Sequence, residues 1–350
     1  MILPAATPLP DLPRARLLDG PTPLQPLPRL SAALGGRAEL WVKREDLGPL
    51  AFSGNKLRNL EFLLGDALRA GANTIVTSGR RWSNHCRLAA AAGARLGLEV
   101  HIVVNGPPAP DSANLRLMRE LGALIHEAST GDRAEREALV EDARVDAEAR
   151  GRRARVLPVG GSDAVGAWGQ VLGALEAIEQ ARAGGWTPDA IVLPTATGGT
   201  QAGLVVGAAI AASDARASAG HAASVRVVGI AVHPDPELRS KIERLVGALA
   251  GMAGITDLAG LDPRARPIEL RDSQIGPGYG VSTAESVAAS RLLSTTEGIL
   301  VDPVYTAKGL AGLIELVQTG ALEDRRVIFW HGGGLPALFE PSLGEPALRG

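Results

Sequence analysis

Lys56 follows Ser53-Gly54-Asn55, where a Ser-Gly turn runs straight into a segment of helical period. A helix N-terminus is already positive, so a partly buried lysine there is pushed toward its neutral form. A neutral amine can form a Schiff base with a carbonyl compound. Taken alone, such a lysine also reads as a solvated surface residue. A second cluster, Pro194-Thr195-Ala196-Thr197-Gly198-Gly199-Thr200-Gln201-Ala202-Gly203, joins an apolar strand to an apolar helix. Small residues let backbone N–H groups converge on an anion at the helix start. No Gly-Lys-Ser/Thr follows, and no dinucleotide fingerprint with its later acid, so one phosphate fits better than a nucleotide. Ser83-Asn84-His85 opens another helix, where Ser or Asn is an ordinary cap and the same N–H groups could hold a substrate carboxylate. The chain has only two tyrosines, and both Tyr279 and Tyr305 sit in loops before helices, placed to stack on a planar ligand or move a proton. His331-Gly332-Gly333-Gly334 ends an apolar strand and allows close approach to a ligand, with no catalytic role assigned to His331.

These residues need a scaffold, and the rest of the chain reads as alternating strands and helices. Apolar runs at 39–43, 74–77, 99–104, 123–127, 155–159, 190–194, 226–232, 267–271 and 327–330 predict strands. Segments at 55–70, 84–96, 112–121, 133–150, 164–182, 200–212, 236–250, 283–296 and 306–318 predict helices. In the first of these, Leu57, Leu60, Leu64, Ala67 and Leu68 form one buried stripe, and Gly71 stops it. The helix at 133–150 is mostly charged and is expected on the surface. The alternation predicts an α/β protein with two open twisted, mainly parallel sheets and helices on both faces.

Composition narrows the partners. The 38 acidic and 36 basic residues nearly cancel, so no basic excess points to nucleic acid or an anionic membrane. No apolar stretch approaches the roughly 20 residues of a membrane span, and the Pro- and Leu-rich start lacks the pattern of a signal peptide. A single cysteine, Cys86, excludes an intrachain disulfide and fits a reducing cytoplasm. The expected partners are therefore a small molecule and another copy of the chain, and the reading calls for no metal.

In order, seven segments resemble the D-cysteine desulfhydrase and 1-aminocyclopropane-1-carboxylate (ACC) deaminase family. These are fold-type II pyridoxal 5'-phosphate (PLP) enzymes related to the tryptophan synthase β subunit. The segments are Val42-Lys43-Arg44-Glu45-Asp46-Leu47, Ser53-Gly54-Asn55-Lys56-Leu57-Arg58, Ser83-Asn84-His85, Pro158-Val159-Gly160-Gly161-Ser162, Thr197-Gly198-Gly199-Thr200-Gln201-Ala202-Gly203-Leu204, Asp302-Pro303-Val304-Tyr305 and His331-Gly332-Gly333-Gly334. The resemblance implies that Lys56 carries PLP and that Thr197, Gly198, Gly199 and Thr200 hold its phosphate. Asn84 would face the ring oxygen, and Tyr305 and Thr306 would also border the cofactor. Ser83, Asn84 and His85 would receive the substrate carboxylate, with Trp82 and Tyr279 beside them. Catalytic roles fall on Lys56, Ser83, Tyr279 and Tyr305. The resemblance also implies a homodimer, with a large PLP-binding domain (1–49 and 166–350) and a small domain (50–165).

ACC deaminases carry a glutamate after the tyrosine of Asp-Pro-Val-Tyr, and this chain has Thr306. A hydroxyl does not hold a pyridinium as a carboxylate does. The expected activity is therefore a PLP-dependent lyase working by α,β-elimination on a small amino acid, giving an α-keto acid and ammonia. ACC deaminase-like ring opening, or a β/γ-elimination or replacement, are the alternatives. Two departures from the family pattern stand near the site: Arg80-Arg81-Trp82 precedes Ser83 where the family has small or apolar residues and Gln, and Gly332 replaces Thr. They predict an altered substrate, larger or more anionic than cysteine.

Overall fold

The computed structural model describes residues 9–106, 112–219, 225–255 and 268–340. Ten strands form two separate sheets. In the first, β10 (Arg325–His331) lies between β2 (Ala38–Arg44) and β7 (Ala190–Thr195). Beyond β7 come β8 (Arg226–Ala231) and β9 (Glu269–Arg271), all parallel, while β1 (Leu24–Pro26) closes the other edge antiparallel to β2. The second sheet has the order β5 (Leu124–Glu127), β4 (Glu99–Asn105), β3 (Thr74–Arg80), β6 (Ala154–Val156), parallel throughout. Central strands such as Ala190-Ile191-Val192-Leu193 are buried on both faces, which is why they read as unbroken apolar runs.

The helices match the sequence pattern closely. They are α1 (Pro28–Ala33), α2 (Lys56–Arg69), α3 (Asn84–Leu96), α4 (Ala113–Glu120), α5 (Arg133–Ala149), α6 (Ala164–Ala183), α7 (Gly199–Ala219), α8 (Leu238–Met252), α9 (Ala284–Glu297) and α10 (Thr306–Gln318). Periodicity did not reveal β1 and α1, each too short to show a repeat. The strand expected at 155–159 ends at Val156 and gives way to a tight turn at Val159–Gly161, where Gly160 and Gly161 adopt positive φ. The strand expected at 267–271 begins outside the described residues and continues as β9.

Close helix packing sets the position of Lys56. A Cβ on Gly169 of α6 would stand 1.9 Å from the Arg58 carbonyl of α2, so only glycine lets the two backbones meet. Likewise a Cβ on Gly203 of α7 would stand 2.6 Å from the Ala167 carbonyl of α6. The stack α2–α6–α7 thus brings the first turns of α2 and α7 together, and Asn55 Nδ2 donates to Thr200 Oγ1 at 2.9 Å.

Buried charges fix the register of this stack. Arg58 Nε donates to Glu45 Oε2 at 2.7 Å, and its Nη2 to Glu176 Oε1 at 2.8 Å. Lys43 Nζ donates to Glu176 Oε1 at 2.5 Å. Burial alone would raise the Glu176 pKa, but the cations of Arg58 and Lys43 prevail and lower it. Such networks weigh little in net stability but strongly in conformational uniqueness, because a shifted register strands a buried charge.

Candidate active site

The C-terminal ends of β3 and β7 and the first turns of α2, α3 and α7 surround a cavity of about 910 Å³. Lys56, Ser83, Asn84, His85, Thr197, Gly198, Thr200, Tyr279, Tyr305 and Thr306 all line it. Trp82 and Gly199 stand one layer back: Trp82 is buried against Tyr279 with ring centroids 5.9 Å apart, and Gly199 packs on Ser162. The clusters dispersed in sequence therefore converge on one chamber.

Lys56 lies half-buried in the cavity wall, and burial lowers its pKa from the ordinary lysine range to about 8. The loop before it is unusual. Ala51, Phe52 and Ser53 have φ of 40°, 61° and 46°, a left-handed run that side chains rarely adopt. Arg87 holds this loop. Its Nε donates to Ala51 O at 3.0 Å, its Nη2 to Ser53 O at 2.9 Å, and its Nη1 to Asn84 Oδ1 and Asn114 Oδ1 at 2.7 Å each. Asn55 N donates to Gly332 O at 3.1 Å, and Gly54 bridges Gly333. Gln170 Nε2 adds a bond to Asn55 O at 2.7 Å. Arg87 was missed by sequence reasoning, although an arginine three residues after Asn84, at the head of an Ala-rich run, is a visible signal.

At the far wall, Gly198 turns at φ 87° into α7, leaving the first N–H groups of that helix without intrahelical acceptors. Thr197 Oγ1 and Ser162 Oγ share a hydrogen bond at 2.6 Å. A Cβ on Gly160 would come within 2.8 Å of Thr197 Oγ1, so the glycine turn closes directly over the cradle. Its size suits one phosphate group.

At the start of α3, Ser83 Oγ accepts from Cys86 N at 3.2 Å and keeps its own proton free. Asn84 Oδ1 is taken by Arg87, which leaves Nδ2 to donate into the cavity. Thr77 Oγ1 donates to Leu157 O at 3.3 Å, so His85 Nε2 is the donor to Thr77 at 3.0 Å. His85 Nδ1 is then a buried acceptor without a partner among the described residues. Burial, and the nearby Lys56 charge, lower the His85 pKa to about 3, so it acts as a neutral dipole.

Tyr279 and Tyr305 share a short hydrogen bond through their hydroxyls, and burial raises both pKa values, so both stay protonated at neutral pH. Lys308, also missed in sequence, places this pair. Its buried ammonium donates to Ile275 O at 2.6 Å, Val232 O at 3.2 Å and Gly278 O at 3.4 Å, anchoring the Tyr279 loop. Thr306 Oγ1 accepts from Asp302 N at 2.7 Å and donates to Asp302 Oδ2, which commits its proton to a buried carboxylate. His331 Nδ1 accepts from Gly333 N at 3.2 Å and Nε2 donates to Leu300 O at 2.8 Å, so both ring nitrogens are engaged in holding the strand end. A Cβ on Gly332 would meet Asn55 only at 3.5 Å, an ordinary contact, so space rather than steric need distinguishes this glycine.

The two arginines before Trp82 part ways where β3 ends at Arg80 and a turn begins at Arg81. Arg80 lines the cavity, whereas Arg81 is buried and pairs with Glu127, so only Arg80 brings charge to the site. The charged helix α5 is also closer to the chemistry than its composition suggests: Arg133, Arg136 and Glu137 in its first turns join the cavity wall.

A lysine of lowered pKa and a glycine turn at a helix start meet in one chamber between two mainly parallel sheets, an arrangement suited to a small phosphorylated carbonyl compound. The chain belongs to the pyridoxal-phosphate dependent enzyme family, which matches residues 15–333. It is 39% identical over 341 residues to the D-cysteine desulfhydrase of Yersinia pestis (strain Pestoides F), covering 95% of this chain and 96% of that one. The crystal structure of an ACC deaminase homologue superposes with a TM-score of 0.83 at 32% identity, covering 95% and 96% of the two chains. A threonine deaminase shares the fold with a TM-score of 0.62 at 21% identity, covering 89% and 92%. The fold is that of the fold-type II PLP enzymes.

The residues present fit PLP: a cradle that a Cβ at Gly160 would fill, and an amine whose pKa burial has lowered. Only the neutral amine attacks a carbonyl, so the sign of the pH dependence follows. The rate at which PLP-free protein captures PLP should rise as pH passes upward through about 8 and level off above it. Stopped-flow absorbance over that range measures this, and a flat profile would contradict the lowered pKa.

Proposed function

We propose that the chain catalyses D-cysteine desulfhydrase-like α,β-elimination on a small amino acid, releasing an α-keto acid and ammonia. The observation that carries this is the meeting of Lys56, the α7 cradle and the α3 N-terminus in one cavity, with Thr306 where a strong electron sink needs a carboxylate. PLP, when bound, supplies the electron sink that makes the α proton removable. Thr197, Gly198, Gly199 and Thr200 hold its phosphate, and Asn84 Nδ2 donates to its ring oxygen. Ser83, with the N–H groups of Asn84 and His85, receives the substrate carboxylate. Lys56 Nζ would take the α proton. The protonated Tyr279–Tyr305 pair, backed by Trp82, closes the opposite wall and moves protons to the leaving group. Thr306 has its proton committed to Asp302, so it does not protonate the pyridine nitrogen; this favours loss of a good β leaving group over cyclopropane opening.

The same proposal includes the division into a large domain (1–49 and 166–350) and a small one (50–165), supported by two sheets that share no strand. It includes a homodimer, supported by exposed Phe52 (58%) and Phe339 (75%) on segments next to the Gly54–Gly333 bridge. It includes the cytoplasm, supported by the lone buried thiol of Cys86. Among the described residues, no helix is long and apolar enough to cross a membrane.

Purified protein with PLP should show a visible absorption band that borohydride removes, and should release ammonia and pyruvate from cysteine of one hand. A protein that stays colourless with added PLP would sink the proposal.

A further inference from the structure

The cations on the cavity wall fall into two groups. Arg133 Nε is matched by Glu137 at 2.6 Å, and Lys241 Nζ by Asp235 at 2.9 Å. Arg80, Arg136 and Arg244 line the same cavity, and their side chains make no hydrogen bond or ion pair among the described residues. Arg244 is exposed, on the helix whose Ile242 packs against Gly198, at the phosphate end. Water suffices for it. Arg80 and Arg136 are half-buried, and Arg136 Nε is sequestered without a partner. The remaining wall carboxylate, Asp163, is occupied in capping α6, where it accepts from Gly166 N at 2.7 Å.

Both arginines flank the start of α3. The Arg80 carbonyl accepts from Ser83 N at 2.9 Å, so Arg80 begins the turn that presents the carboxylate site. Its Nη1 lies 3.1 Å from the Cβ position of Gly106 and 3.4 Å from that of Gly131, a hollow that side chains there would fill. Arg136 faces Arg80 and Arg133 and acts electrostatically on Cys86, within the first turn of α3. Burial, against the attraction of Glu137 and with the repulsion of Arg133 and Arg80, lowers its pKa. Two half-buried like charges lining one cavity, offset only by the exposed Glu137 that is already paired with Arg133, are costly unless an anion joins them.

We propose that Arg80 and Arg136 form a subsite for a second anionic group, a sulfonate or phosphate ester, carried on Cβ of the amino-acid substrate. The inference rests on the elimination reading and names its substrate class. The substrate is held at both anionic ends, its α-carboxylate on the α3 N-terminus and its β-substituent on the two guanidinium groups. The α proton passes to Lys56 Nζ, and the Cβ–S or Cβ–O bond breaks with its electron pair leaving as sulfite or phosphate. The aminoacrylate left behind takes up water to give pyruvate and ammonia, so no oxidant or reductant is needed. The guanidinium groups neutralise the charge that the leaving group carries away.

Cysteine, cysteate and O-phosphoserine, each in D and L form, all yield pyruvate and ammonia, so one assay on the PLP-loaded protein compares them. The expected result is a kcat/KM for cysteate or O-phosphoserine at least about tenfold above cysteine, whichever wins identifying the group. In R80Q and R136Q the ratio of anionic to cysteine kcat/KM should fall by roughly tenfold or more, with partial recovery in R136K. Inorganic sulfate should compete with substrate in the parent and about tenfold more weakly in the double variant. A preference for cysteine, or a ratio unmoved in both variants while the visible band is intact, overturns the subsite and leaves the elimination reading standing. Absence of both the band and any pyruvate overturns the elimination reading itself.

Discussion

Lys56→Ala is expected to lower kcat by roughly three to four orders of magnitude, the upper range for loss of a positioned general base. The argument rests on a division of labour. In the proposed site the α7 cradle and Asn84 would bind PLP without the lysine, so the variant should still take up the cofactor. It should lack the borohydride-sensitive visible band. The other amine on the cavity wall, Lys241, is paired with Asp235, and Lys308 behind the Tyr279 loop has its ammonium tied to three carbonyls, so neither is placed to substitute. Single-turnover measurement of pyruvate release checks this. Activity within tenfold of the parent would place the base elsewhere.

Arg87→Met is expected to destabilise the protein by about 3–5 kcal/mol, because removing one member of a buried polar network leaves its partners unpaired. Four acceptors lose their donor: two backbone carbonyls of the left-handed loop, Asn84 Oδ1 and Asn114 Oδ1. Burial lowers the Arg87 pKa to about 10 while Asp302 opposes the shift, so the side chain is still charged at neutral pH. Without the clamp, Ala51, Phe52 and Ser53 would relax toward ordinary φ, carrying Lys56 out of line. Arg87→Lys should recover little, since one ammonium does not reproduce the planar fork. Denaturant titration with and without PLP measures the loss, and a change under about 1 kcal/mol would show that the loop holds itself.

The sequence conveyed what depends on local pattern. Alternating apolar runs and Ala-rich helical stripes marked the strands and helices because each element buries a regular face. Lys56, the 197–200 cradle and Ser83-Asn84-His85 were legible because helix starts carry their chemistry in consecutive residues. What stayed hidden depends on contacts between distant segments. Arg87 and Lys308 look like isolated charges in apolar helices, and their value lies in carbonyls belonging to other loops. Arg80 and Arg81 are neighbours of one type, and only the folded turn after β3 shows that one faces the cavity and the other Glu127. The first turns of α5 read as solvent-facing because composition does not reveal which end of a charged helix meets a cleft.

The bond from Asn55 N to Gly332 O and the bridge between Gly54 and Gly333 carry a temporal consequence. A ribosome makes Lys56 early and Gly332 almost at the end of the described chain. The final frame around the lysine therefore closes only once Gly332 and Gly333 have been synthesised. Until then the nascent chain exposes an ordinary amine, without its fixed loop and with no finished wall opposite. The last contacts that fix the lysine thus arrive from the far end of the described chain, after its own helix has been made.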